Sequence, residues 1–164
     1  MASSVSAHTS VTAWLANRDW PPFPFQHEVW DAAAAGESGL IHAATGTGKT
    51  YAAWFAGVLD WMRDHPDPEA WPDLPAPKIQ VLWLTPLKAL AADTTLALQE
   101  PLEALGIPWT VERRTGDTSS YQKQRQIKKP PAALITTPES LSVLLSRREA
   151  KTMFSQLRMV AVDE

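Results

Sequence analysis

The sequence predicts an α/β fold with a mainly parallel sheet flanked by helices, and three observations lead there. Short apolar runs (LIHA, IQVLWLT, AALITT and MVAV) alternate with stretches whose apolar residues recur at helical spacing. The apolar runs are nearly unbroken, as strands buried on both faces of a parallel sheet require. A glycine-rich turn at 43–50 stands between one such run and a helical pattern, the strand–turn–helix order of this fold class.

Each element has its own reason. Residues 9–19 and 26–36 place Val11, Trp14 and Leu15, then Val29, Trp30, Ala33 and Ala34, at helical spacing. WPPFPF between them is an extended, proline-rich connection. LIHA (40–43) reads as a short buried strand, and 49–63 as a helix packing through Ala53, Phe55, Ala56, Leu59 and Met62. Prolines recur through HPDPEAWPDLPAPK (65–78), which predicts an exposed surface loop. IQVLWLT (79–85) is a buried strand, and 86–105 a helix that Pro101 is expected to kink or break. WTVERRT (109–115) is a strand, 120–128 a polar helix and AALITT (132–137) another buried strand. Pro138 opens a helix carrying Leu141, Val143, Leu144 and Leu145, since proline is tolerated in a first turn. MVAVDE (159–164) closes as an apolar strand ending in two carboxylates. No internal repeat is visible.

Composition narrows the class. The chain has 164 residues, 45% hydrophobic and 20% charged, enough for one ordinary globular core. No apolar run approaches the roughly 20 residues that cross a bilayer. The first residues lack the basic and apolar regions of a secretory signal. There is no cysteine, which excludes disulfides and thiolate metal sites and agrees with a cytoplasmic setting. A net charge of -3 argues against a protein that coats nucleic acid by charge alone. Charge is uneven, however. Asp60, Asp64, Asp67, Glu69 and Asp73 crowd one stretch, and Arg113, Arg114, Lys123, Arg125, Lys128 and Lys129 another. Such runs, taken alone, are solvated faces.

The strongest local signal is Ala43-Ala44-Thr45-Gly46-Thr47-Gly48-Lys49-Thr50. Gly46 and Gly48 allow positive φ and let backbone N–H groups approach phosphate oxygens. A helix starting there adds a favourable dipole. Lys49 then reaches the β- and γ-phosphates, and the Thr50 hydroxyl takes a place on magnesium. Glycine is the general residue where Ala43 stands. The second signal is the terminal pair. A carboxylate at the C-terminal end of a buried parallel strand lies where such sheets bind ligands. Asp163 there can hold Mg²⁺, and Glu164 can orient the attacking water. Lys49, Asp163 and Glu164 are thus the candidate catalytic residues, and both pairs are expected to serve one metal-bound triphosphate.

With these segments in place, the chain resembles the DExH-type superfamily 2 helicases. Among them it is most similar to the Lhr-like group and the bacterial ligase-associated helicases of DNA damage response. The resemblance is carried by FPFQHEVW (23–30), GLIHAATGTGKTYAAW (39–54), LWLTPLKALAADT (82–94), RTGDTSS (114–120), ITTPESLSVLL (135–145) and VAVDE (160–164). Alanine at position 43 is expected in that group. The resemblance implies a RecA-like P-loop NTPase domain with ATP and Mg²⁺ as cofactors. Gln26 then matches the glutamine that reads the adenine edge, since its amide donates and accepts at once. Phe23 and Phe25 are candidates to pack near the base. TPLKAL, TGD and TTPESL match segments that contact the backbone of a translocating strand. Candidate contacts are Thr85, Lys88, Thr115, Gly116, Asp117, Thr137 and Glu139, which could equally cap helices or be solvated.

The resemblance also implies a domain plan. Residues 1–22 form an N-terminal helix and proline-rich lead-in, and 23–164 a first RecA-like domain that is C-terminally truncated, with the second absent. The parent protein is expected to hydrolyse ATP and act on DNA in repair, while this stretch alone does neither appreciably. An arginine contributed by a second domain is worth a factor of roughly 10³–10⁵ in such rates. Relatives imply a DNA ligase and a metallophosphoesterase-type nuclease as partners, and no membrane. The rivals are another P-loop enzyme such as a kinase, and a non-catalytic remnant of a motor.

Overall fold

A computed structural model of the chain describes residues 2–163, with side chains described from residue 7 onward. It forms two compact units, Met1–Trp71 and Pro72–Glu164.

The first unit is helical. Helix α1 spans Ala2–Ala16, α2 spans Pro24–Ala34 and α3 spans Lys49–Asp64. Pro24 sits at the start of α2, where a missing N–H costs nothing. Helix α3 is apolar around most of its circumference, so it becomes the centre of the unit, with Trp54, Phe55, Val58 and Met62 fully buried. Trp30 of α2 lies edge-on to Phe55 at 6.2 Å and donates its indole N–H to the Ala52 carbonyl at 3.0 Å. Trp14 of α1 meets Tyr51 and Phe55 edge-on at 5.4 and 5.7 Å.

Two expectations fail in this unit. LIHA is not a strand: residues 37–44 form no regular element, and Leu40 is 93% exposed. A four-residue, mostly apolar run becomes a strand only when a neighbour supplies the ladder, and the elements described beside it are helices. The proline-rich segment, in turn, is not simply an exposed loop. Pro68–Asp73 winds into a 3-10 helix that buries Trp71 against Trp61, and the Trp71 indole donates to the His65 carbonyl at 2.8 Å.

The second unit is a four-stranded, all-parallel sheet in the order β2-β3-β1-β4, with β1 Val81–Leu84, β2 Val111–Arg114, β3 Ala133–Thr136 and β4 Met159–Val162. Helices α4 Lys88–Leu105, α5 Ser120–Lys128, α6 Pro138–Leu145 and α7 Ala150–Met153 complete it. Strand β3 is central and buried along its whole length, as its unbroken apolar run predicts. Ile79, Leu82, Leu134, Leu144 and Met153 form a core cluster.

Pro101 does not break α4, which runs continuously to a left-handed Gly106 (φ 71°). Proline forfeits one ladder bond, and here the burial of Pro101 beside Leu98 and Leu102 offsets that cost. Strand β4 also departs from expectation. Among the described residues it is an edge strand, with Val160 and Val162 50% and 75% exposed, rather than a strand buried on both faces.

Register is what positions the chemistry. Leu84 pairs with both Thr136 and Val162, and Thr136 pairs with Arg114. The next residue of every strand therefore falls on one line at the C-terminal edge: Thr115, Thr137, Thr85 and Asp163, in that spatial order.

Candidate functional site

The phosphate loop is built by its glycines. Gly46 and Gly48 have φ values of 81° and 84°, a region where a Cβ crowds the backbone. Gly48 turns the chain directly into α3, so Lys49 and Thr50 occupy the first helical turn. First-turn N–H groups have no intrahelical acceptor and point out of the helix start, which makes the turn a ready anion cradle. Ala44, Thr45 and Gly46 are exposed, and Ala43, Thr47, Gly48, Lys49 and Thr50 half-buried. The loop closes on itself through the Thr47 hydroxyl, which donates to the Ala44 carbonyl at 2.6 Å. Lys49 Nζ donates to the Ala43 carbonyl, also at 2.6 Å. A phosphate would exchange that neutral acceptor for a charged one, and a charge-assisted bond is the stronger.

Gln26 is buried at 4% exposure and tied to this loop. Its Oε1 accepts the Phe23 N–H at 2.8 Å, the reciprocal half of a capping box at the start of α2. Its Nε2 donates to the Gly48 carbonyl at 3.0 Å. Phe23 is half exposed and stacks on Phe25 at 6.1 Å.

The strand-end line of the second unit gathers the other candidates. Asp163 is fixed by its N–H, which donates to the Leu84 carbonyl at 2.8 Å, and Thr85 by its N–H to the Thr136 carbonyl at 3.0 Å. Glu164 lies outside the described residues. The three threonines are buried: Thr85 at 1%, Thr115 at 4% and Thr137 at 2% exposure. Thr137 caps α6, its hydroxyl accepting the Ser140 N–H. Thr115 donates its N–H to the Thr118 hydroxyl at 2.9 Å, closing the 115–118 turn. The Thr85 hydroxyl is sealed from solvent and has no hydrogen-bond partner among the described residues.

Lys88, Gly116, Asp117 and Glu139 are exposed along the same edge. Lys88 Nζ lies 3.4 Å from the Asp117 carboxylate, an open pair of the kind that contributes little stability. One groove brings together Lys88, Thr115 and Asp117; a second brings together Gly116 and Glu139. The sheet thus collects the strand-contact candidates on one face of one unit.

Sequence reasoning missed a buried polar network beneath them. Gln126 of α5 accepts from Arg114 Nη1 at 3.3 Å and donates to Glu112 Oε2 at 2.9 Å and to the Arg113 carbonyl at 3.0 Å. Glu112 also pairs with Arg125 at 2.9 Å. One buried glutamine on an otherwise charged helix leaves no periodic signal.

A sequence profile of the DEAD/DEAH box helicases matches residues 23–164, nearly the whole chain. The chain belongs to the DEAD/DEAH box helicase family. Within this helicase family it is similar to an Lhr helicase of Mycolicibacterium smegmatis, 39% identical over 92% of the chain. It is also similar to the ATP-dependent helicase Lhr-Core of Methanothermobacter thermautotrophicus, 37% identical over 79% of the chain. The chain spans 10% and 15% of those two proteins. Among solved structures, M. smegmatis helicase Lhr bound to single-stranded DNA and AMP-PNP matches with a TM-score of 0.73 and 36% identity. That match covers all of this chain and 20% of the other. Helicase MrfA bound to DNA and AMPPNP matches with a TM-score of 0.78 at 25% identity, over 94% of this chain and 20% of the other. The all-parallel sheet flanked by helices is therefore that of a RecA-like helicase domain, as the family resemblance implies, and the alternating sequence pattern predicted its α/β class.

Proposed function

We propose that this chain is the ATP-binding stretch of an Lhr-type ATP-dependent helicase that acts on DNA. The observation that carries the reading is the glycine-opened turn delivering Lys49 and Thr50 into the first turn of α3. The kinase and remnant alternatives are not favoured, because the family match extends far beyond that turn.

In this reading, backbone N–H groups of residues 45–50 cradle the phosphates, and Lys49 leaves the Ala43 carbonyl for the β- and γ-phosphates. Gln26 has used one lone pair and one proton on its two backbone partners. The second of each is available to an adenine edge. By family resemblance, Thr50, in a half-exposed first turn, and Asp163, held by its backbone bond to Leu84, are assigned as oxygen donors to a hard divalent cation. Bound Mg²⁺ would supply charge neutralisation to the triphosphate. Glu164 is assigned the water-orienting role by family resemblance.

On the strand-end line, exposed Lys88, Gly116, Asp117 and Glu139 contact the sugar–phosphate backbone, while Thr85, Thr115 and Thr137 shape the turns that present them. Such contacts position a strand without reading its sequence. A role in DNA repair, beside a ligase and a metallophosphoesterase-type nuclease, follows from the resemblance to ligase-associated helicases.

The test is titration of the chain with a fluorescent ATP analogue and with a single-stranded oligonucleotide. Nucleotide binding that survives Lys49→Ala unchanged would overturn the reading. Steady-state ATPase of this stretch alone is expected to be negligible, because an arginine contributed by a second motor domain is worth a factor of roughly 10³–10⁵ in such rates. Turnover at the rate of a full motor would contradict that expectation.

A further inference from the structure

Strand β2 stands at one end of the sheet, paired with β3 alone among the described residues. An edge strand lacks a ladder on its outer side, so its position is held by whatever side chains reach it. Two glutamines do so. Gln99 of α4 takes the Val111 N–H at 2.9 Å and gives its Nε2 to the Trp109 carbonyl at 3.4 Å, near the start of the strand. Gln126 of α5 serves the other end. Of the described residues of α5 it alone is buried, at 2% exposure. Its Nε2 donates to Glu112 Oε2 at 2.9 Å and to the Arg113 carbonyl at 3.0 Å, and its Oε1 accepts from Arg114 Nη1 at 3.3 Å. Both amide protons and one lone pair are thus spent on the last three residues of β2. A buried polar network with its donors satisfied rigidifies what it joins.

Those three residues lead straight into the 115–118 turn. It is closed by the Thr115 N–H on the Thr118 hydroxyl at 2.9 Å and by the Thr118 N–H on the Thr115 carbonyl at 3.2 Å. Helix α5 follows at once, capped by Ser119, and reaches back over the turn that precedes it. The Lys123 carbonyl accepts from Arg114 Nη1 at 3.0 Å, and Lys123 Nζ lies 3.4 Å from the Gly116 carbonyl. We propose that Gln126 is a positioning residue for nucleic-acid binding: by fastening α5 to the end of β2, it sets the shape in which the turn presents Gly116 and Asp117. The proposal rests on the strand-binding reading above. Gln126 itself has almost no surface to offer a ligand, so its influence passes through the turn. The role suits a carboxamide. An apolar side chain of like size would leave the Arg113 carbonyl and Arg114 without this partner, and a glutamate would set a carboxylate against Glu112.

The experiment compares the whole chain as wild type, Gln126→Met and Glu112→Ala. Each is measured for binding of a single-stranded oligonucleotide, binding of a fluorescent ATP analogue, and amide hydrogen exchange. Methionine keeps the volume of the glutamine and removes its hydrogen bonds. Gln126→Met is expected to weaken oligonucleotide binding by about three- to tenfold, the span of one hydrogen bond's net worth. Nucleotide affinity should be unchanged, since the phosphate loop lies in the other unit. Exchange should quicken at the Thr115 and Thr118 amides and hold at those of β3, which report opening of the whole unit. Glu112→Ala, which removes one tie at a half-buried position, should give a smaller change of the same kind. Wild-type affinity and wild-type exchange in a folded Gln126→Met overturn the positioning role and leave strand binding standing. Faster exchange throughout the unit, with both ligands weakened alike, makes Gln126 a stability residue only and also overturns it. If Gln126→Met does not fold, Glu112→Ala decides by the same readouts. A wild type that binds no oligonucleotide sinks the strand reading, and the positioning role with it.

Discussion

The carboxamide of Gln26 joins two backbones, taking the Phe23 N–H on its oxygen and giving its nitrogen to the Gly48 carbonyl at 3.0 Å. One buried side chain thereby fixes the start of α2 and the last residue of the phosphate loop. Gln26→Ala is expected to cost about 1–3 kcal/mol, the usual penalty for orphaning buried polar groups. It should also weaken binding of an ATP analogue. Gln26→Glu, which sets a carboxylate against the Gly48 carbonyl, should lose at least as much. Equal urea midpoints for all three proteins would refute the bridging role.

Gly48 and Gly46 share a positive φ but not a neighbourhood. A Cβ on Gly48 would sit 2.8 Å from Gln26 Nε2, whereas one on Gly46 meets nothing within 4 Å. Gly46→Ala should therefore cost about 1–2 kcal/mol, the left-handed strain alone. Gly48→Ala should cost visibly more, and the excess should shrink in a Gln26→Ala background. A double-mutant cycle in denaturant reads this directly, and strict additivity of the two substitutions would disprove the contact.

Thr85 carries a hydroxyl that folding desolvates without a partner among the described residues. Its replacement by valine, similar in shape and apolar, is expected to leave stability unchanged or raise it by up to about 1 kcal/mol. A clear loss on Thr85→Val, measured by thermal and urea unfolding, would reveal a bond that the fold does not display.

His8 gives the helical unit a pH dependence. Burial holds its pKa below the ordinary histidine value, against the pull of Asp31 and with help from the charges of His27 and Arg63. The unfolded chain therefore takes up this proton first, at about pH 6.5. Stability contributed by neutral His8 is complete above that pH and falls as pH drops below it, levelling once the folded ring is also protonated. His8→Gln should flatten the curve between pH 7.5 and 5. Parallel wild-type and variant profiles would exclude the effect.

Particular residues show what the sequence could and could not disclose. Gly46 and Gly48 announced their left-handed turn because no other residue type fits it cheaply, and α3 begins where that logic places it. The runs around Leu82 and Leu134 became parallel strands because their burial is continuous. LIHA has the same local composition, but a strand is a pairing, and pairing partners are not written locally. Trp71 illustrates the converse. Prolines on both sides said loop, yet a single large aromatic side chain anchored the segment through Trp61 and the His65 carbonyl. At the candidate site, the motif residues were readable from their order along the chain. The Glu112–Gln126–Arg114 network was not, because it joins residues 12 to 14 apart through long side chains whose partners only the sheet register selects.

Among the described residues, strand β4 pairs on one side only, and its two valines are exposed. An unpaired strand edge of this kind is adhesive toward any other extended chain. Concentrated on its own, this stretch should behave as a sticky polypeptide. Its handling will depend on dilution, cold and a solubilising fusion rather than on its mild net charge.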